Sequence, residues 1–217
     1  MRAVFFDMDG TLLDTIEDIA RSMNHVLHDL GFPIHDIGQY KLFVGNGMEM
    51  LVERAIGLSP DTDIWTSAMQ MMEKRYAGHC MDRTVPYPGI MEMLDALWSR
   101  DVRTAVLSNK PDLFTKKMAD RFFGASGFDL VRGTIEGIPH KPNPAAALDM
   151  ASRMGIAPEE IVFVGDTGVD MATARSAGMY PAGVLWGFRD KDELVSNGAK
   201  TLVKAPSELL DLVLSRS

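Results

Sequence analysis

The sequence predicts an α/β protein in which a buried parallel sheet carries a helical insertion after its first strand. Three observations lead there. Short apolar runs at residues 3–6, 104–107, 161–164 and 181–185 each lie beside a helical pattern, as strands buried on both faces do. The first three stop at polar residues: Asp7, Ser108 and Gly165-Asp166. Ligands of such sheets bind beyond the carboxyl ends of the strands, so these ends point to one functional edge. Finally, about 70 residues with helical patterns and no convincing strand precede Pro86-Tyr87-Pro88-Gly89, far more than one crossover helix needs.

The helices read as follows. Ile16, Ile19, Ala20, Met23, Leu27 and Leu30 recur at helical spacing, and Gly31 offers a stop. Thr15, followed by Glu17 and Asp18, reads as the amino-terminal cap. Further helical patterns fall at 48–56, 64–77, 90–99, 113–121, 145–154, 169–177 and 208–214. With connectors at 12–15 and 81–86, residues 1–15 and 82–217 form a core domain and residues 16–81 a helical domain over the sheet edge.

Composition narrows the function. The 217 residues are 46% hydrophobic and 24% charged, ordinary for a globular protein able to bury a core without disulfides. The single cysteine, Cys80, forbids an internal disulfide; it suggests a reducing compartment and reads as a small apolar filler. A formal charge of −8 disfavours nucleic acid, although a local cation still permits small phosphates. The four apolar residues before Asp7 are too few for a signal peptide or a membrane span, so a cytoplasmic location is expected.

Chemistry concentrates in four stretches. In Asp7-Met8-Asp9-Gly10-Thr11, two carboxylates end an apolar strand, where burial costs several kcal/mol unless donors or a cation compensate. The competing reading is a turn, since Asp9-Gly10 is a good turn dipeptide. In Gly165-Asp166-Thr167-Gly168-Val169-Asp170, Asp170 alone could merely complement a helix dipole, but Asp166 has no such excuse. Together with Asp7 and Asp9 it gathers negative charge that a hard cation makes tolerable, and oxygen ligands suit magnesium better than zinc. Ser108-Asn109-Lys110 and His140-Lys141-Pro142 offer hydrogen-bond donors and a point charge for phosphate, although each is weak alone.

These four motifs, in this order, resemble the haloacid dehalogenase-like hydrolase superfamily in its phosphoglycolate-phosphatase-like branch, and the similarity spans essentially the whole chain. The resemblance implies a Rossmann-like doubly wound parallel sheet core, a small helical cap inserted after the first strand, and a magnesium-dependent phosphatase. Asp7 would be the nucleophile and Asp9 the general acid and base, with Ser108 and Lys141 binding the transferring phosphoryl group. Magnesium would be held by Asp7, the Asp9 carbonyl, Asp166 and Asp170. Thr11 and the backbone amides around Met8–Gly10 would steady the phosphate and Asp9, with Asn109 beside them. The glycine-flanked turn Gly45-Asn46-Gly47 resembles the loop with which capped relatives touch substrate, and helix starts favour anions.

The implied partner is a small phosphorylated metabolite, with 2-phosphoglycolate the first guess, handled by a monomer or homodimer without nucleic acid or membrane. A phosphosugar mutase or a pyrophosphatase could use the same core. A dehalogenase would have no use for the second acidic motif, and a phosphonate-cleaving relative would need a reactive cap lysine, for which Lys41 and Lys74 are unpersuasive. A non-catalytic binding module is the reading from another class. His25, His28, His35 and His79 lack ligand spacing, and the methionines of the cap read as adaptable packing.

Overall fold

Alanine, valine and two phenylalanines in succession leave β1 (Ala3–Phe6) no solvent-facing side, and in the computed structural model it lies at the centre of the sheet, fully buried. Residues 1–124 and 127–215 are described. After β1 come β2 (Leu13–Asp14) and four helices: α1 (Ile16–Asp29), α2 (Ile37–Phe43), α3 (Met48–Ile56) and α4 (Asp63–His79). The chain returns through β3 (Val85–Pro86), α5 (Ile90–Trp98), β4 (Arg103–Pro111), α6 (Asp112–Phe123), β5 (Leu130–Thr134) and α7 (Ala145–Met154). It then adds β6 (Ile161–Gly165), α8 (Gly168–Ser176), β7 (Tyr180–Val184), α9 (Lys191–Ser196), β8 (Thr201–Val203) and α10 (Pro206–Leu214).

The six long-range strands pair in parallel in the order β5-β4-β1-β6-β7-β8. This is the doubly wound, Rossmann-like order, and it reverses between β1 and β6, where such sheets open a crevice. Strand alternation splits β1 between two cores. Val4 and Phe6 pack with α5, α6 and α10 (Leu94, Met118, Leu209), while Ala3 and Phe5 pack with α7 and α8 (Ala147, Met150, Ala174). Each phenylalanine so buried is worth about 1.5–3 kcal/mol.

Helices α1–α4 form a layer with its own apolar cluster of Ile19, Met23, Tyr40, Val52, Met72 and Tyr76, which Phe114 and Phe188 enter from the sheet side. The two crossings into this layer pair as a short antiparallel ladder, Leu13 with Pro86 and Asp14 with Val85. Asp18 braces the return: its buried carboxylate accepts hydrogen bonds from the amides of Arg83 and Thr84 and from the Thr84 hydroxyl. Asp18 thus serves the connector, not the helix start, and Thr15 does not cap by its side chain, whose hydroxyl is buried without a partner. Gly31 follows α1 at φ 75°, as its stop requires. Cys80 is buried, and among the described residues no helix is long and apolar enough to cross a membrane.

Candidate active site

The polar strand ends meet. Asp7 follows β1, with its amide bonded to Val164 O at 2.9 Å, so it emerges beside Asp166, which follows the adjacent parallel strand β6. Asp170 lies in the first turn of α8. One carboxylate oxygen from each of Asp7, Asp166 and Asp170 can be chosen so that all three lie within 4.8 Å of one another, and all three residues are buried. Between them stands Lys141, from the loop before α7, its Nζ 3.0 Å from Asp7 Oδ1 and 2.7 Å from Asp170 Oδ1.

Each acid is held separately. Asp166 accepts from the Thr11 hydroxyl at 3.0 Å and from the Phe188 amide at 2.8 Å. Asp170 Oδ2 accepts from the Thr167 amide and hydroxyl, a reciprocal capping box that starts α8 and fixes the acid in the same stroke. The Met8 amide donates to Asp7 Oδ1 at 2.7 Å. Gly10, at φ 81°, passes so close to Asp166 that a Cβ there would collide with the carboxyl group.

Burial pushes the Asp7 carboxyl up to about 7, with Lys141 pulling it down and the Asp170 and Asp9 charges pushing it further up. Burial, then the charges of Asp170 and Asp7, raises Asp166 well above the usual carboxylate range. Burial works against the Lys141 ammonium, but Asp170 and Asp7 outweigh it and hold the lysine charged. One ammonium therefore leaves three clustered carboxylates undercompensated, by two charges when all are ionised. A divalent cation fits that excess, and the all-oxygen, hard donor set suits magnesium. It is the one such cluster among the described residues.

A cavity of about 40 Å³ opens beside Asp7. Asp7, Asp9, Ser108, Lys110 and Phe188 line it from the sheet domain, and Ile19, Val44, Gly45, Gly47, Met48 and Leu51 from the helical layer. Ser108 reaches it because the pairing of β4 with β5 loses register between Leu107 and Pro111, turning residues 108–110 out of the ladder. Asp9 Oδ2 lies 3.0 Å from Lys110 Nζ, while its other oxygen is buried without a hydrogen-bond partner.

Four expected substrate contacts are placed differently. Thr11 is fully buried and spends its hydroxyl on Asp166. The Gly10 amide donates to Leu13 O at 2.9 Å, so this glycine's part is to clear space for Asp166. Asn109 borders the cavity, but its amide is engaged: Nδ2 donates to Gly45 O and Lys141 O, and Oδ1 accepts from the Lys141 amide. Asn46 accepts from Arg54 at 2.9 Å and faces a neighbouring groove with Glu49, Glu73 and His140. Gly45 and Gly47 do line the cavity. Lys41 and Lys74 are exposed.

Lys110, Thr167, Phe188 and Arg189 were not assigned parts by the sequence. Arg189 donates to Leu42 O and Val44 O, gripping the helical layer from the sheet side. Phe188 and Arg189 follow β7, whose end carries no acid to flag it. Thr167 sat in plain sight, three residues before Asp170, with the spacing of a capping box.

A doubly wound sheet whose switch point carries an aspartate after β1, a buried lysine and an acidic pair after β6 defines a class of α/β hydrolases. The family model for haloacid dehalogenase-like hydrolases matches residues 4–184. A phosphoglycolate phosphatase of Chromobacterium violaceum is 33% identical, covering 98% of this chain and 96% of its own. An N-acetylmuramic acid 6-phosphate phosphatase of Pseudomonas aeruginosa is 32% identical, with coverage of 98% and 95%. Among solved structures, a haloacid dehalogenase-like family protein from Streptococcus pneumoniae superposes with a TM-score of 0.88 at 25% identity, covering 98% of both chains. The chain belongs to the haloacid dehalogenase-like hydrolase family, in its phosphoglycolate-phosphatase-like branch. Its enzyme class is phosphoric monoester hydrolase.

Proposed function

We propose that the enzyme removes phosphate from a small organic monoester, 2-phosphoglycolate first among the candidates, through a phospho-aspartyl intermediate on Asp7 and with magnesium as cofactor. The observation that carries this is the convergence of Asp166, Asp170 and Lys141 on Asp7, which itself lines a small cavity. Asp7, Asp166, Asp170 and the Asp9 carbonyl would hold the ion. Bound there, magnesium would neutralise charge on the phosphoryl group and cancel its repulsion with Asp7.

The chain's own residues do the rest. Lys141 keeps Asp7 ionised and oriented, and Ser108 donates to a phosphoryl oxygen. Asp7 attacks phosphorus, the bond to the leaving oxygen breaks, and Asp9 delivers a proton from its unpartnered oxygen to that oxygen. Asp9 then takes a proton from the water that cleaves the aspartyl phosphate. Splitting one displacement into two lowers each barrier, and a placed proton donor contributes about 10²–10⁴-fold. Residues 16–81 act as a cap that closes over residues 1–15 and 82–217, with the 12–15 and 81–86 connectors as its hinge, and excludes water.

The small cavity and the Gly45 and Gly47 backbone against it favour a substrate with few atoms beyond the phosphate. Cytoplasmic metabolites fit a chain whose one cysteine is a buried thiol. A panel of phosphorylated metabolites ranked by kcat/KM, with and without magnesium, tests the reading. Free phosphate released from a small monoester only with a divalent ion is expected. Return of the group to substrate would indicate a mutase, preference for pyrophosphate a pyrophosphatase, and no turnover with any divalent ion a binding module.

Two further results are expected. Gly10→Ala displaces Asp166 and should weaken magnesium by about 10–100-fold in a calorimetric titration; unchanged affinity would contradict the packing of Gly10 on Asp166. The second concerns pH. Because Asp7 is raised to about 7, the metal-free fold holds more protons than the unfolded chain between about pH 4 and about pH 7. Its stability should therefore fall as pH rises through that window. Magnesium needs the carboxylates ionised, so its stabilisation, read as a shift in Tm, should be larger near pH 8 than near about pH 5.5. An equal shift at both would argue against Asp7 as a ligand.

A further inference from the structure

Among the described residues two lysines are buried, and the site described above accounts for one of them. The other, Lys110, is 7% exposed and belongs to the segment of β4 that the loss of register turns out of the ladder with β5. Its Nζ lies 3.0 Å from Asp9 Oδ2, donates to the Tyr76 hydroxyl at 2.8 Å and stands 4.6 Å from the centroid of the Tyr76 ring. Tyr76 comes from α4, in the helical layer, where it is 1% exposed and meets Phe114 edge-on at 5.4 Å. The two oxygens of Asp9 thus have opposite circumstances: Oδ2 is gripped, and Oδ1 is buried with nothing to bond.

We infer that Lys110 and Tyr76 are positioning residues that aim Asp9. Lys110 holds Oδ2 so that Oδ1 faces the leaving oxygen, and Tyr76 anchors Lys110 only while the helical layer is seated. A lysine on a flexible four-carbon stem has many rotamers, and a single carboxylate does not select one of them. The Tyr76 hydroxyl and ring supply the second and third contacts, a cation over an aromatic face included. Since Tyr76 rides on α4, the proton donor is aligned only when the cavity is covered, which ties proton delivery to exclusion of bulk water. The inference rests on the acid role proposed for Asp9.

The leaving group provides the test. A nitrophenolate departs without a proton, whereas an alkoxide needs one, and kcat/KM reports the step in which the group leaves. Wild type, Asp9→Asn, Lys110→Met and Tyr76→Phe are compared on 4-nitrophenyl phosphate and on the alkyl monoester with the highest kcat/KM in the metabolite panel. Lys110→Met is expected to lose about 10²-fold on the alkyl ester and less than about threefold on the aryl ester. Tyr76→Phe should lose about tenfold on the alkyl ester alone. Equal losses on both esters for Lys110→Met would make Lys110 a phosphate ligand and overturn the inference. So would a Tyr76→Phe enzyme that matches wild type on the alkyl ester. Tyr76→Phe removes one hydroxyl, so it decides the matter even if Lys110→Met fails to fold. An Asp9→Asn enzyme showing no difference between esters would overturn the acid role itself, a failure separate from that of Lys110.

Discussion

Asp7→Asn is expected to lower kcat by about 10⁴-fold or more while leaving the fold intact. Asparagine keeps the shape of aspartate and its hydrogen bond from the Met8 amide, but a neutral amide does not attack phosphorus. The charge balance sharpens the expectation. Lys141 keeps Asp170 at 2.7 Å, and the substitution removes one of three crowded buried carboxylates. Metal-free Asp7→Asn should therefore unfold no earlier than wild type, and above about pH 7 somewhat later. A thermal melt beside a steady-state assay separates the two effects. Retention of kcat within about tenfold of wild type would remove Asp7 from the chemistry.

Lys141→Met is expected to damage both properties. Its side chain is 1% exposed and bonded to Asp7 and Asp170, so its loss strips the cluster of its nearest positive charge. Breaking a buried ion pair from one side costs about 3–5 kcal/mol, to be read by urea unfolding in a chelator near about pH 8. Magnesium should restore part of that stability, because the ion replaces the missing charge. Turnover should still fall by about 10²–10³-fold, since losing a placed donor to the transferring group costs this much. A variant as stable as wild type in the chelator would mean that Lys141 does not neutralise the cluster.

The acids and the strands they end were legible because the sequence breaks a rule there. Charged residues directly after β1 and β6 have no packing explanation, and the structure brings them together. The edge strands were not legible. In β5, Arg132 and Gly133 interrupt the apolar pattern, and β8 has only three residues, the first of them a threonine, so neither makes an apolar run. Helix α2 did carry a signal, Asp36 with Gln39 as a capping box, but Gly38 and the exposed Ile37 and Leu42 blurred its periodicity.

Within the site, residue type was a good guide to presence and a poor one to partner. Thr11, Gly10 and Asn109 stand in the motifs where substrate contacts were expected, yet they serve Asp166 and Lys141. A hydroxyl or amide beside a phosphate site can bond the ligand or the acid that holds it, and only the fold decides. The role of Lys110 is not legible from its motif because its partners lie far off in sequence, Asp9 in the first motif and Tyr76 in α4.

The most direct test of the phospho-aspartyl route is to quench a single turnover with magnesium present and map the protein by mass spectrometry. The mass of one phosphoryl group on the peptide that contains Asp7, absent when magnesium is withheld, is the predicted result. Release of phosphate at the normal rate with no covalent adduct, or an adduct on a different residue, would contradict it.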